Sequence, residues 1–119
     1  MASSVLVVDD DPNLVRLMSK FLKLEGFAPV GAGNGEEALA YLRGGGDASV
    51  ILLDLRMPVM SGEEAFRVMR KTWPGIAVVV TSGLSLEEVT AHLGNSRPDG
   101  VVQKPFSLDN LTGALSRAL

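Results

Sequence analysis

The chain has 119 residues, enough for one domain with a single core, and 46 % hydrophobic against 21 % charged residues is a globular rather than a disordered balance. Its net charge of −3 argues against a direct nucleic-acid surface, and Arg67, Arg70 and Lys71, the nearest approach to a basic cluster, have the helical spacing of a solvated face. There is no cysteine, which excludes disulfides, thiolate nucleophiles and Cys-ligated zinc.

The opening "MASSVLVVDD" lacks the basic region and long apolar run of a signal peptide. No apolar segment approaches the roughly 20 residues needed to span a bilayer. A soluble, cytoplasmic domain without membrane contact is the expectation. Val5–Val8 is apolar without alternation, as suits a strand buried on both faces of a parallel sheet. Asp11-Pro12 then sets a capping carboxylate before a proline at the first helical position. Leu14, Leu17, Met18, Phe21, Leu22 and Leu24 follow as an i, i+3, i+4 stripe, with Arg16, Lys20 and Lys23 on other faces.

Gly26 returns the chain to a second apolar run, Phe27–Val30. Asn34 and Glu37 stand at the spacing of a capping box, as do Ser61 with Glu64 and Ser85 with Glu88 further on. Gly44–Gly46 separates the second helix from the run Val50–Leu53; Pro74-Gly75 separates the third from Ile76–Val80; Gly94 and Pro98 precede Val101–Val102. Ser107 opens a fifth helix. Met57, Met60 and Met69 are expected as packing groups, Met57-Pro58 and Gly62 as shapers of a loop, and Trp73 as a helix-end residue over the edge of the core. His92 falls in the fourth helix with no partner at metal spacing. Five repeats of strand and helix without a linker predict one α/β domain over residues 1–119, a doubly wound parallel sheet with helices on both faces.

In such sheets ligands gather at the carboxyl ends of the strands. Every polar oddity of this sequence falls there: Asp9, Asp10 and Asp11 after the first run, Asp54 after the third, Thr81 and Ser82 after the fourth, Lys104 after the fifth. Two carboxylates about 4 Å apart repel by roughly 4 kcal/mol at an effective dielectric near 20, so a positive charge among them is expected. Carboxylates suit Mg2+, which takes one or two of them together with phosphate oxygens and water. A lysine and a hydroxyl suit the remaining oxygens of a phosphoryl group, and an aspartate can itself be the nucleophile. Taken singly, a strand-end lysine or a serine in a turn is commonplace; their convergence is the signal.

The segments "VLVVDDDP", "ILLDLRMPVMSG", "VVVTSG" and "VVQKPF" resemble the receiver domains of two-component response regulators, the CheY-like superfamily, over the whole chain. The spacing agrees: 44 residues from Asp10 to Asp54 and 50 from Asp54 to Lys104. The resemblance implies a flavodoxin-like (βα)5 fold with strand order 2-1-3-4-5. It implies Asp54 as phosphoacceptor, and Mg2+ held by Asp9, Asp10, Asp54 and the backbone carbonyl of Arg56. Lys104 would pair with the phosphoryl group, through a Lys104-Pro105 bond that is usually cis in the family, while Asp11 lies outside the acid pair and is left as a helix cap.

For the switch hydroxyl, counting from Asp54 favours Ser82, with Gly83 as the small residue after it, over Thr81, which alternation would turn away. The implied partners are a histidine kinase or phosphotransfer protein as donor and an output domain or protein at the fourth helix, fifth strand and fifth helix; a homodimer is compatible with this. "DGVVQKPF" is similar to receivers attached to hybrid kinases. The implied role is a signalling module that catalyses only its own phosphorylation and slow dephosphorylation, not an enzyme acting on other substrates. The alternative is a small Mg2+-dependent phosphohydrolase with an aspartate nucleophile; such enzymes need an acid two residues after the nucleophile, where this chain has Arg56. A flavodoxin-like FMN carrier would need a Ser/Thr-rich loop after Val8, where the aspartates stand. The family often carries Tyr or Phe three residues before the lysine; here Val101 stands there, so no ring can swing at that position.

Overall fold

A computed structural model describes residues 3–56, 61–94 and 97–119, with Leu86 described by its backbone alone. The elements alternate as the sequence predicts: β1 (Ser4–Val8), α1 (Pro12–Leu24), β2 (Ala28–Ala32), α2 (Gly35–Arg43), β3 (Val50–Asp54), α3 (Gly62–Thr72), β4 (Ala77–Ser82), α4 (Leu86–Leu93), β5 (Gly100–Gln103) and α5 (Leu108–Ala118). All neighbouring strands pair in parallel, in the order β2-β1-β3-β4-β5. The expected fold is therefore present in full. Its order reverses between β1 and β3, which is the switch point where ligands collect.

Strand alternation sorts the core into two layers. Val5, Val7, Val50, Leu52 and Val79 pack against Met18 and Leu22 of α1 and Leu111 and Leu115 of α5. Leu6, Val8, Ile51, Leu53 and Val80 pack on the opposite face against α2, α3 and α4, around Leu39, Phe66 and Val89. Every residue of β3 is buried, so the strand ending in Asp54 is fixed by hydrogen bonds on both sides and helices on both faces. Each large core side chain contributes about 1.5–3 kcal/mol of burial.

Two departures from the sequence reading have simple causes. β2 is an edge strand, displaced one residue from the apolar run and largely exposed; Pro29 is tolerated within it because an edge strand has an unpaired side. The stripe on α1 buries only Met18 and Leu22 fully, leaving Leu17 56 % and Leu24 81 % exposed, because a helix lying on a sheet touches it along a narrower line than the stripe.

All the expected N-caps form, at Asp11, Asn34, Ser61, Ser85 and Ser107. Only Ser85 and Glu88 close a reciprocal capping box. Glu37 instead accepts from the Gly33 N–H and the Asn34 side-chain amide, and Glu64 accepts from the Ser61 hydroxyl. Gly26, at φ +91°, supplies the left-handed turn after α1. Met69 is buried and Trp73 caps α3 while packing on the core; Met57, Pro58 and Met60 lie outside the described residues.

Arg70 is not the solvated residue expected. It bonds Asp99 at 2.9 Å and the Arg97 carbonyl at 2.7 Å, above the ring of Phe66. Among the described residues, no helix is long and apolar enough to cross a membrane.

Candidate functional site

The carboxyl ends of β1, β3 and β5 bring four of the expected side chains together. One carboxylate oxygen from each of Asp9, Asp10 and Asp54 lies within 4.8 Å of the others. The Lys104 Nζ stands 3.2 Å from Asp9 Oδ2 and 3.5 Å from Asp54 Oδ2. Asp9 and Asp54 are buried and Asp10 is exposed, so the cluster has a closed floor and an open mouth.

Local backbone holds each acid. Asp9 Oδ1 accepts the Asp11 N–H at 3.0 Å, while Asp11 Oδ1 caps α1 by accepting from the N–H groups of Asn13 and Leu14. The triple aspartate thus divides its labour: two residues at the site and one at the helix. Asp54 Oδ1 accepts the Arg56 N–H at 3.2 Å. The Lys104-Pro105 peptide is cis, as the resemblance implies, and the Lys104 N–H donates to the Ser82 carbonyl at 2.7 Å.

The two hydroxyls of β4 are both buried. The register pairs Thr81 with Asp54, on the face shared with Val79, and sets Ser82 one step beyond as the last residue of the strand. Alternation therefore does not turn Thr81 away from the acids. Ser82 Oγ accepts the Leu84 N–H at 3.0 Å, tying it to the loop that leads into α4. His92 does have a partner: its Nδ1 lies 3.1 Å from Glu63 Oε1 on α3, a pairing across helices that no spacing along the chain could reveal.

Charge is unbalanced here, and Asp54 registers it. Burial pushes its carboxyl above the usual 3.8, the Arg56 N–H pulls it down, Asp9 pushes it up, Lys104 pulls it down and Asp10 pushes it up again. A cluster of hard oxygen donors with a carboxylate open to solvent fits Mg2+, which keeps part of its water shell. Among the described residues, no other three such side chains come close enough to share an ion.

Residues 5–116 match the family model for the response regulator receiver domain. AtoC, a regulatory protein of Escherichia coli, is 34 % identical over 115 residues, 97 % of this chain and 25 % of AtoC. The chain spans a quarter to about half the length of such curated relatives. Chemotaxis protein CheY4 of Vibrio cholerae has the same fold at a TM-score of 0.89 and 27 % identity, over 100 % of both chains. TrrA of Thermotoga maritima, solved in complex with Mg2+-BeF, gives 0.85 at 30 % identity over 98 % of this chain and 99 % of its own. With the order β2-β1-β3-β4-β5 and an acid cluster facing a lysine at the switch point, the chain belongs to the response regulator receiver domain family of two-component signalling.

Proposed function

We propose that Asp54 is the phosphoacceptor of this receiver. The observation that carries it is the meeting of Asp54, Asp9 and Asp10 with Lys104 at the end of the most deeply buried strand. A carboxylate oxygen of Asp54 bonds to phosphorus as the P–N bond to a donor histidine breaks, and the imidazole leaves with the electron pair of that bond. The attacking group must be ionised, which its burial opposes; the Arg56 N–H and the Lys104 ammonium hold the anion.

Asp9, Asp10, Asp54 and the Arg56 carbonyl are the groups that would hold Mg2+, which when bound would neutralise the acids and the phosphoryl oxygens. Lys104 would follow the new phosphoryl group from its place beside Asp54. Thr81, level with Asp54 and on the same face of the sheet, is the hydroxyl we assign to it as well, in place of the expected Ser82. Ser82 Oγ is tied to Leu84 and the Ser82 carbonyl to Lys104, so a shift at the end of β4 would pass to the loop before α4.

The donor would be a histidine kinase or phosphotransfer protein, and the output would be read at α4, β5 and α5. The chain would act as a switch and not as an enzyme on free substrates. The phosphohydrolase alternative lacks its acid, since Arg56 stands two residues after Asp54. Incubation with acetyl phosphate and Mg2+ should add one phosphoryl group, measured by intact mass and lost in base. Asp54→Asn should abolish it; labelling that persists in this variant would place the nucleophile elsewhere.

A further inference from the structure

Gly62 opens α3, is buried, and lies outside the left-handed backbone region, so no unusual conformation demands glycine there. Space does. A Cβ at this position would lie 2.3 Å from Leu55 Cα, 2.4 Å from the Asp54 carbonyl oxygen and 2.9 Å from the Leu55 carbonyl carbon. All three are main-chain atoms and cannot rotate aside like the tip of a side chain. The Gly62 N–H also donates to the Leu55 carbonyl at 3.0 Å. The first turn of α3 is thus laid directly on the peptide that follows the phosphoacceptor.

That peptide leads to Arg56, whose N–H orients Asp54 Oδ1 and whose carbonyl is assigned to the metal. We propose that Gly62 is a positioning residue for phosphoryl transfer: its missing side chain lets α3 clamp the Leu55–Arg56 backbone, which in turn aims Asp54 and the Arg56 carbonyl. Neither side of this contact yields easily, since Ala65 and Phe66 anchor α3 in the core and Asp54 is paired with Thr81 in the sheet. Leu55 is held as well, its N–H on the Thr81 carbonyl at 3.3 Å and its side chain in the core, so the displacement passes on to Arg56. A side chain at 62 would displace the groups that face the site. The inference rests on Asp54 as phosphoacceptor and on Arg56 as metal donor.

The test compares Gly62→Ala with Gly75→Ala, where an added Cβ meets nothing within 4 Å. Apparent Mg2+ affinity is read from the Mg2+-dependent shift in melting temperature, and labelling by acetyl phosphate is followed at saturating Mg2+. Disturbing a group that orients metal ligands weakens binding by roughly 10- to 100-fold, so Gly62→Ala should need at least tenfold more Mg2+ and label more slowly even when saturated. Gly75→Ala should match wild type in both.

If Gly62→Ala melts lower but keeps wild-type Mg2+ affinity and labelling rate, Gly62 serves stability alone and the proposal fails. If the variant does not fold, Mg2+ titration of the wild type decides by amide shifts. The Gly62 amide should move with the same midpoint as that of Arg56 while Gly75 stays still, and a silent Gly62 would overturn the proposal. A wild type that neither labels nor responds to Mg2+ would instead defeat the phosphoacceptor reading itself.

Discussion

The two ends of the sheet treat their acids in opposite ways. At the amino end, Asp99 Oδ2 accepts the Val78 N–H at 2.8 Å and the Arg70 guanidinium at 2.9 Å, and Arg70 uses its remaining reach on the Arg97 carbonyl and the Phe66 ring. One acid meets one base there, with a backbone donor besides. At the carboxyl end, Asp9, Asp10 and Asp54 cluster together, and among the described residues the Lys104 ammonium pairs with two of them, Asp9 and Asp54. The matched end serves the fold. The unmatched end leaves an excess of negative charge that a cation would neutralise, and this excess should lower the stability of the ion-free protein.

Removing an acid should therefore have opposite signs at the two ends. Asp54→Asn, which should also abolish labelling, should raise the melting temperature without Mg2+ at neutral pH. Asp54 has a folded pKa above its unfolded value, so its contribution is fully present below the unfolded value of 3.8 and is lost as pH rises through the folded value. The wild type should lose stability over that interval, and the Asn variant should lose less. Melting curves against pH in chelator would show it, and identical slopes would mean that the carboxyl end carries no strain. Asp10→Asn should blunt the stabilisation by millimolar Mg2+; an unchanged response would take Asp10 out of the metal set.

Lys104→Ala removes the base that, among the described residues, pairs with Asp9 and Asp54. Labelling at saturating Mg2+ should fall by roughly a hundredfold, as when a preorganised charge donor is removed. In chelator the variant should be less stable by about 1–3 kcal/mol, since acids that shared an ammonium are left unpaired. Added Mg2+ should restore more stability to this variant than to wild type. A larger loss in Mg2+ than in chelator would show that Lys104 does not balance the acids.

At the amino end, Asp99→Ala should cost about 1–2 kcal/mol. A half-exposed ion pair is worth little by itself, and most of the loss comes from the orphaned Val78 N–H. Urea unfolding would measure it, and Mg2+ affinity should not change. A weakened Mg2+ response would show that the two ends are coupled through β4 and that this division between them is false.

The sequence carried the carboxyl end almost whole and the amino end hardly at all. Asp9 and Asp10, Asp54 and Lys104 follow three of the apolar runs, and runs in parallel order must bring their ends to one edge. Asp99 and Arg70 meet only because tertiary packing sets the last turn of α3 against the start of β5, which helical periodicity does not encode; Arg70 was legible only as a member of a basic face. The pairing of His92 with Glu63 was hidden for the same reason. Capping was legible as a donor and acceptor spacing, yet only the reach of Glu88 back to Ser85 made a reciprocal box. The choice between Thr81 and Ser82 turned on register, which a count of residues along one strand does not supply.

Glu88 offers the finest contrast to Asp54. Its carboxyl is held below the usual 4.5 by the Ser85 N–H first and the Ser85 hydroxyl second, with His92 and Arg56 adding smaller attractions against a slight desolvation. Its folded pKa is thus depressed, so its contribution is present above 4.5 and is lost as pH falls through the folded value, the reverse of Asp54. Glu88 is fully exposed, so solvent screens these attractions and the effect should be the smallest of the set. Glu88→Gln keeps an acceptor for the Ser85 N–H while removing the charge. At neutral pH the variant should melt slightly below wild type, and the gap should close as the pH falls below 4.5 and through the depressed folded value, where the wild-type carboxyl also becomes neutral. Chelator should leave that gap unchanged, because the box lies outside the acid cluster. A gap that persists undiminished in acid would show that the box depends on the shape of the glutamate and not on its charge.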